Sequence, residues 1–371
     1  MKLMHIVILN WRDIKNPHSG GAELLTHEIS KYLVKRGHKV TQFSAQFSGS
    51  KHKEIIDGVT IIREGNPDLR SGFSSVHFKA YSYYKHKKFG KVDFYIDEVH
   101  GVPFFTPIYI KEKKAALICE RAGELWSLVI PYPFTFIGQV FEYVYPILYK
   151  KIPIITISNS SKQDLSQIFN KKNIQVVYPG CNTPVIKGFS RKSNILTFVF
   201  IARLSKAKGI EDAIAVISLL KKRNIESRLF VIGRGRNEYI EYLKVQIRKL
   251  GISDAVIFYG FITEKEKIKV IDKSHFLIAP SIKEGWGLTV HEAGSRGVPT
   301  IAYNVFGLRE VVKNGENGFL TNKNTPEEIV KSALLAFNDK NLYKKMQEGA
   351  RSERKRFSWS NSGREFLKII T

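Results

Sequence analysis

Two carboxylates flank a glycine-rich turn in residues 281–292, the stretch of the chain that carries the most chemical information. Glu284 precedes the turn Gly285-Trp286-Gly287, and Glu292 falls about one helical turn inside a helix predicted to begin near Leu288. Glycines let the backbone approach a ligand, and the first N–H groups of a helix attract an anion such as a diphosphate. Carboxylates accept hydrogen bonds from hydroxyls. The segment therefore suits a sugar nucleotide, although a surface turn with two solvated glutamates has the same pattern.

Two cations follow the predicted strand at residues 196–201. Arg203 grips phosphate oxygens as a planar fork, whereas Lys208 acts as a point charge. Breaking a sugar–phosphate bond leaves negative charge on the departing diphosphate, and fixed cations stabilise that charge in the transition state. Surface cations placed before a helix would give the same pattern.

Further glycines mark two more turns. Gly20 and Gly21 follow the first predicted strand and precede an amphipathic helix, where their N–H groups can face an anion. Gly233 opens the turn Gly233-Arg234-Gly235 after another strand. Neither turn has the G-x-G-x-x-G spacing of a dinucleotide-binding motif, so the sequence lacks the main feature that would indicate a dehydrogenase.

Residues 281–292 resemble the glutamate-containing signature of the retaining, nucleotide-sugar-dependent glycosyltransferases of family 4, which have the GT-B fold. The similarity continues through residues 293–300, 307–312 and 317–320. The resemblance implies that Arg203 and Lys208, which match the family's Arg-x4-Lys pair, clamp the diphosphate, and that Glu284 contacts the sugar. The residues that it assigns to donor binding are Gly20, Gly21, Gly233, Gly285, Trp286, Gly287, Leu288 and Glu292, the last toward the ribose hydroxyls.

The resemblance also implies a reaction. A hexose or related sugar moves to an acceptor hydroxyl with retained anomeric configuration and no covalent enzyme intermediate, and the leaving phosphate helps to remove the acceptor proton. The two glutamates are then not the acid and nucleophile of a glycosidase. No metal-ligand cluster is evident in the sequence, so we expect the cations to replace a metal and the donor to be the only nucleotide required.

An acidic loop follows the predicted strand at residues 94–96. Many family members carry a histidine here that touches the transferred sugar. By spacing from Asp93, Glu98 occupies that position, and His100 lies two residues later. Either residue is a candidate to hydrogen-bond a sugar hydroxyl or to orient the acceptor, and a loop acid beside a capped histidine is the structural alternative.

Composition limits the class of protein. A chain of 371 residues with 43% hydrophobic residues suits two domains. Cys119 and Cys181 lack metal-ligand spacing, and no secretory signal opens the chain, so we expect a cytoplasmic protein. The net charge of +25 indicates either a lysine-rich solvated surface or attraction to an anionic membrane, whereas no nucleic-acid-binding motif accompanies it.

Short apolar runs alternate with amphipathic stretches, which predicts parallel sheets covered by helices. The predicted strands are residues 6–9, 40–43, 61–62, 94–96, 116–118, 154–157 and 175–177, followed by 196–201, 228–232, 256–258, 276–279 and 300–302. We therefore predict an α/β protein of the GT-B type, with two doubly wound Rossmann-like domains facing each other across a cleft. The acceptor domain is expected at residues 1–186 and the nucleotide-sugar domain at 187–356, with residues 357–371 packing back on the first.

Residues 125–149 are aromatic-rich and almost uncharged. Three prolines, Glu142 and Gln139 argue against a membrane span. We predict a loop plus a helix that either lines the acceptor side or touches a membrane as a peripheral contact. The charge and this stretch indicate a lipid-linked glycan at the cytoplasmic membrane face as the acceptor, and a soluble acceptor is the alternative. A sugar-nucleotide epimerase, a phosphorylase and a basic nucleic-acid-binding protein remain the alternative functions.

Overall fold

The computed structural model describes residues 2–66, 75–121, 123, 126 and 134–371. Part of the predicted loop, residues 125 and 127–133 with Pro131 and Pro133, lies outside this description. The chain divides into two compact units. Unit 1 comprises Met1–Gly180 with Trp359–Thr371, and unit 2 comprises Cys181–Ser358, so the division falls six residues before the boundary predicted from sequence.

Unit 1 contains an eight-stranded sheet in the order β3-β4-β2-β1-β5-β6-β7-β8. Its strands are β1 His5–Leu9, β2 Lys39–Ser44, β3 Lys53–Ile56, β4 Val59–Arg63, β5 Phe94–Glu98, β6 Lys113–Leu117, β7 Ile154–Thr156 and β8 Ile174–Val176. All described pairs are parallel except β3 with β4. The helices are α1 Gly21–Lys35, α2 Ser75–Lys85, α3 Thr106–Tyr109, α4 Phe134–Val144, α5 Pro146–Tyr149, α6 Asn159–Leu165 and the last helix, α14 Trp359–Ile370.

The last helix belongs to unit 1 because it packs on the first one. Gly363 of α14 lies so close to Tyr32 of α1 that a Cβ atom at this glycine would be 2.2 Å from the tyrosine ring. The Ser362 hydroxyl donates a hydrogen bond to the carbonyl of Tyr178 at 2.6 Å. Gly363 thus allows close packing of the two helices, and Ser362 ties α14 to the segment that holds Tyr178.

Unit 2 contains a six-stranded parallel sheet in the order β11-β10-β9-β12-β13-β14. Its strands are β9 Leu196–Ile201, β10 Ser227–Ile232, β11 Val256–Gly260, β12 Phe276–Ala279, β13 Thr300–Ala302 and β14 Gly318–Leu320. Its helices are α7 Ile210–Lys222, α8 Asn237–Lys249, α9 Glu264–Lys273, α10 Leu288–Ser295, α11 Leu308–Val311, α12 Pro326–Asn338 and α13 Lys340–Arg354. The central strands are buried apolar runs, as expected where helices cover both faces of a parallel sheet.

Each sheet reverses its strand order once. In unit 1 the reversal falls between β1 and β5, and in unit 2 it falls between β9 and β12. Loops that leave the carboxyl ends of two such strands diverge to opposite faces and leave a crevice where ligands bind in open α/β sheets. The loops after β1, β5, β9 and β12 are therefore the places that the fold assigns to a site.

Candidate functional site

The loops after β9 and β12 meet in unit 2. The N–H of Ile282 donates to the carbonyl of Ala207 at 3.0 Å, which joins the two loops directly. Gly209 adds a second contact, because a Cβ atom there would be 2.0 Å from the carbonyl oxygen of Pro280 and its φ is +71°. The strand order and these backbone contacts together place residues 203–209 beside residues 280–287.

This junction brings together two of the predicted catalytic residues. Lys208 Nζ donates to Glu284 Oε2 at 2.8 Å, and both side chains are about a quarter exposed, at 23% and 25%. The Ser281 hydroxyl reaches the same carboxylate oxygen at 3.5 Å. The two residues are 76 positions apart in the sequence. An accessible ammonium and carboxylate therefore lie together at the mouth of the crevice.

Arg203 lies on the same loop as Lys208 and is exposed. Within the described residues the structure records no hydrogen bond or ion pair for its guanidinium. Its side chain is therefore available to a ligand, although the structure does not bring it into contact with Glu284.

The turn before α10 is buried. Gly287 adopts φ +90°, which favours glycine, and a Cβ atom there would be in tight contact with the Leu308 side chain at 3.0 Å. The Trp286 ring is 2% exposed, stacked on His291 at 5.3 Å and in edge contact with Phe357 at 4.9 Å. Trp286 therefore anchors the turn from beneath. Gly285 and Gly287 are buried as well, and Leu288 at the start of the helix is half-buried.

Glu292 lies inside α10 and is bound to one cation. Lys267 of α9 donates to Glu292 Oε1 at 2.9 Å, while Lys267 also pairs with the exposed Glu264. The second carboxylate oxygen, Glu292 Oε2, is buried and has no hydrogen-bond partner among the described residues. Burial raises the pKa of Glu292 in spite of the ammonium beside it. A buried acceptor without a donor costs free energy, so this oxygen suits a ligand hydroxyl.

The packing of the protein itself explains why position 233 is a glycine, without a bound ligand. A Cβ atom at this residue would be 1.8 Å from the carbonyl oxygen of Ala202, and its φ is +146°. The next residue, Arg234, also bonds to the loop after β9, because its carbonyl accepts a hydrogen bond from the N–H of Leu204 at 2.7 Å. Gly233 therefore lets the loop after β10 pack on the loop that carries Arg203.

Unit 1 has a second polar cluster at its own strand reversal, centred on a buried carboxylate. Glu98 is 1% exposed and ends β5. Its Oε2 atom accepts hydrogen bonds from Asn10 Nδ2 and from the Thr26 hydroxyl, both at 2.6 Å. Its Oε1 atom lies 2.9 Å from His100 Nε2. Glu98 therefore faces the interior, where its partners hold it on both oxygens.

His100 is the outer member of this pair, with 17% of its side chain exposed. Its ring stacks on Trp11 at 5.4 Å, and the Arg12 guanidinium lies 4.0 Å from the centre of the Trp11 ring. Burial disfavours a charged imidazole, but the hydrogen bond and charge of Glu98 outweigh it and raise the pKa of His100. Burial likewise raises the pKa of Glu98, against the hydrogen bond from His100. The pair thus presents an imidazole whose orientation is fixed from behind by a carboxylate.

Gly20 and Gly21 are exposed at the start of α1. The Gly20 N–H donates to Glu23 Oε2 at 2.7 Å, so a side chain of the first helical turn already satisfies one of the donors there. The other backbone N–H groups of this turn come after β1 in the chain, so they lie at the same end of the sheet as His100.

Sequence reasoning missed three residues of the unit 1 cluster. Asn10 and Trp11 follow β1 directly, and Thr26 lies on α1. The signal for Asn10 and Trp11 was available, because polar and aromatic residues at the carboxyl end of a central strand are candidates for a site. Thr26 had no such signal, since a threonine within an amphipathic helix is ordinary.

The described residues contain no group of three His, Cys, Asp or Glu side chains that could hold a metal ion. The described helices are also all too short or too polar to cross a membrane.

Comparison with known proteins finds similarity over part of the chain. Residues 185–353 match the family model for glycosyl transferases group 1. An uncharacterized glycosyltransferase of Methanocaldococcus jannaschii is 26% identical over 238 residues, which cover 60% of this chain and 60% of that protein. A Haemophilus influenzae glycosyltransferase is 30% identical over 200 residues, covering 53% and 55%. The matched region thus spans between about half and three fifths of the length of these curated relatives.

Solved structures match the whole chain. Sucrose-phosphate synthase from Thermosynechococcus elongatus has a TM-score of 0.82 at 16% identity, covering 99% of this chain and 98% of its own. An Anabaena protein in complex with UDP and glucose has a TM-score of 0.74 at 17% identity, covering 98% of each chain. At such low identity the likeness shows the fold, which is the GT-B fold predicted from the sequence. The family model matches residues 185–353, and the solved structures show the fold of the chain.

Proposed function

We propose that the protein is a retaining glycosyltransferase that moves a hexose or related sugar from a nucleoside-diphosphate sugar to an acceptor hydroxyl. The observation that carries this proposal is the junction of two loops at the strand reversal of unit 2, where Lys208 contacts Glu284 shortly before α10 begins at Leu288. Cations, backbone donors and a carboxylate in one crevice match a diphosphate joined to a hydroxylated ring.

Each group has a part in binding the donor. Arg203 and Lys208 face the diphosphate, and the backbone of the turn Gly285-Trp286-Gly287 adds hydrogen-bond donors. Glu284 then accepts from sugar hydroxyls, which requires Lys208 to leave that carboxylate for the phosphate. The unpaired Glu292 Oε2 accepts from a ribose hydroxyl. The Anabaena structure was solved with UDP-glucose as well as with UDP and glucose, which is consistent with this class of donor.

The transfer exchanges one bond for another. The acceptor oxygen forms a bond to the anomeric carbon while the bond from that carbon to the diphosphate oxygen breaks. The departing nucleoside diphosphate takes the electron pair, and one of its phosphate oxygens takes the acceptor proton. Arg203 and Lys208 stabilise the new negative charge without a metal, because their charges are fixed before the reaction begins. Retention of configuration rests on the resemblance to family 4.

We assign His100 of unit 1 to the transferred sugar or the acceptor, and Glu98 to positioning the His100 ring. This choice follows from their burial, because Glu98 is enclosed by its partners while the imidazole reaches the surface. The acceptor is proposed to be a glycan, lipid-linked and used at the cytoplasmic face of a membrane.

A thermal-shift screen of UDP-, GDP- and ADP-sugars tests the proposal. A ligand at about 100 times its dissociation constant stabilises the folded state by about 2.7 kcal/mol, which raises the melting temperature by roughly 5–10 °C for a unit of this size. We expect one base to stabilise the wild type and to lose most of its effect in Arg203→Ala. No stabilisation by any of these donors would overturn the proposal.

Product analysis separates the alternative reactions. Release of an altered sugar without an acceptor would indicate an epimerase, and dependence on inorganic phosphate would indicate a phosphorylase. Binding to DNA or RNA that weakens steeply with salt, without discrimination among nucleotide bases, would indicate a nucleic-acid-binding protein.

A further inference from the structure

Unit 1 carries a row of exposed apolar side chains on α4 and α5. Six residues form this apolar stripe: Phe136, Val140, Tyr143, Val144, Ile147 and Leu148. Their exposed fractions run from 42% at Leu148 to 64% at Phe136. Spacings of three and four residues place the members within α4 on one side of that helix. Ile108 of α3, 65% exposed, extends the stripe, because α3 contacts α5.

The opposite side of the same helices is fixed to the core. Tyr145 and Tyr149 are buried, at 3% and 0% exposed, and the Tyr149 hydroxyl donates to the buried Asp97. Glu142 Oε2 accepts a hydrogen bond from the N–H of Gly123 at 2.9 Å. The stripe is therefore held outward by a packed inner face, whereas an apolar helix in the core would have buried both sides.

A band of lysines lies next to the end of the stripe. Strands β6, β7 and β8 are parallel neighbours, so the residues that precede them lie along one edge of the sheet. The exposed lysines there, called the lysine band, are Lys111, Lys113, Lys150, Lys151, Lys171 and Lys172. Helix α5 ends at Tyr149, directly before Lys150. Glu112 is the single acidic residue in the described segments 111–113, 150–153 and 170–173.

We propose that the apolar stripe and the lysine band together dock unit 1 on an anionic phospholipid leaflet. Lysines attract acidic headgroups, and an amphipathic helix that lies in the plane of the interface buries its apolar face among the first acyl carbons. A tyrosine in the stripe suits the interface, where an apolar ring and a polar hydroxyl both find partners. We choose a membrane as the partner because a leaflet offers acyl carbons beside anionic headgroups, which match an apolar stripe beside a lysine band.

The candidate catalytic residues of unit 1 lie away from the lysine band. His100 and the start of α1 lie at the carboxyl ends of the strands, and the lysine band lies at their amino ends. The proposal goes beyond the proposed function and does not depend on it, since membrane binding is measured without donor or acceptor.

Vesicle flotation with the full chain tests the docking surface. We expect binding to phosphatidylcholine vesicles that contain about 30% phosphatidylglycerol and little binding to phosphatidylcholine alone. Raising the salt from about 0.1 M to about 0.5 M should weaken binding, because the charges are exposed and become screened. Absence of binding to anionic vesicles at low salt would overturn the proposal.

Paired variants locate the surface. Lys150→Glu with Lys151→Glu should lower partitioning about 30-fold or more, whereas Lys344→Glu with Lys345→Glu, the same charge change on exposed α13, should lower it much less. Val144→Ser with Ile147→Ser should also release the protein, and Leu335→Ser, which removes an exposed apolar side chain elsewhere, should not.

Circular dichroism and melting temperature verify that each variant is folded. Equal losses in test and control pairs would contradict the assigned surface. Conversion of a dimer to a monomer by the stripe variants, with vesicle binding unchanged, would show that a second copy covers the stripe and would also overturn the proposal. Transfer to a water-soluble acceptor should be unaffected by the stripe variants, so failure of the docking proposal is distinguishable from failure of the proposed function.

Discussion

The two strand reversals of this molecule hold charged groups in opposite ways. In unit 1, Glu98 is enclosed by Asn10, Thr26 and His100, with both carboxylate oxygens bonded. In unit 2, Lys208 and Glu284 are about a quarter exposed, and Glu292 keeps one oxygen unpaired. The Glu98 carboxylate in unit 1 therefore has both oxygens bonded, whereas Glu292 in unit 2 has an oxygen left to bond.

This difference suits two functions, the positioning of a side chain in unit 1 and the binding of a charged ligand in unit 2. A buried carboxylate whose bonds are all made fixes the orientation of a neighbouring imidazole, and it stabilises the fold whether or not substrate is present. An exposed cation such as Arg203 contributes little to folding, since solvent screens it, and its charge can meet a polyanion. The comparison thus predicts that substitutions in unit 2 reduce activity with little loss of stability, whereas substitutions around Glu98 reduce stability as well.

Removal of the unit 2 charges is expected to have the largest effect. Arg203→Ala and Glu284→Ala should each lower kcat/KM about 100- to 1000-fold, because each removes a group that stabilises developing charge or holds the sugar. The melting temperature should change by no more than about 2 °C, since both side chains are accessible. Steady-state transfer assays with calorimetry of the same preparations measure both quantities.

Arg228→Ala is the matched control for this prediction. Arg228 is exposed and lies on β10 of the same sheet, yet on a strand rather than on a loop at the carboxyl edge. Its loss should leave kcat/KM within about twofold of the wild type. Normal turnover by Arg203→Ala or Glu284→Ala would remove the donor-site assignment.

The unpaired oxygen of Glu292 gives a smaller and more specific prediction. Glu292→Gln should raise the donor KM about 10- to 100-fold with a smaller change in kcat, because a hydrogen bond from a ribose hydroxyl to a carboxylate contributes about 1.5–3 kcal/mol. Glu264→Gln is the control, since Glu264 pairs with the same Lys267 but is exposed. An equal change in KM for both variants would mean that Lys267, rather than a ligand hydroxyl, is the partner that matters.

The sequence predicted the strands of the fold where burial is continuous. The runs at residues 196–201, 276–279 and 300–302 agree with β9, β12 and β13 end to end. Two strands were missed. The edge strand Lys53–Ile56 has two charged residues followed by two isoleucines, has no fully buried residue and pairs antiparallel. Strand Gly318–Leu320 is three residues long and begins with glycine. Short or half-exposed strands lack the apolar run on which the prediction depended.

The candidate site could be predicted by residue type but not by environment. Loops after strands pointed to Lys208 and Glu284, and the structure joins them across 76 positions. The sequence did not show which of the candidate side chains are buried. Nothing local marks Glu98 as enclosed, because its partners Asn10 and Thr26 lie 88 and 72 positions away in the sequence. The sequence likewise did not show that the Trp286 ring points into the core.

The pH dependence of stability tests the unit 1 side of the comparison and should show the smallest effect. The folded-state pKa of His100 is raised above its ordinary value of 6.5. A raised histidine pKa contributes stability that is fully present below about 6.5 and is lost as the pH rises through the folded-state value. The melting temperature of the wild type should therefore exceed that of His100→Gln most at and below pH 6.5, and the difference should shrink toward pH 9. Each unit of raised pKa is equivalent to about 1.4 kcal/mol. A difference that grows with pH would contradict the Glu98–His100 pair.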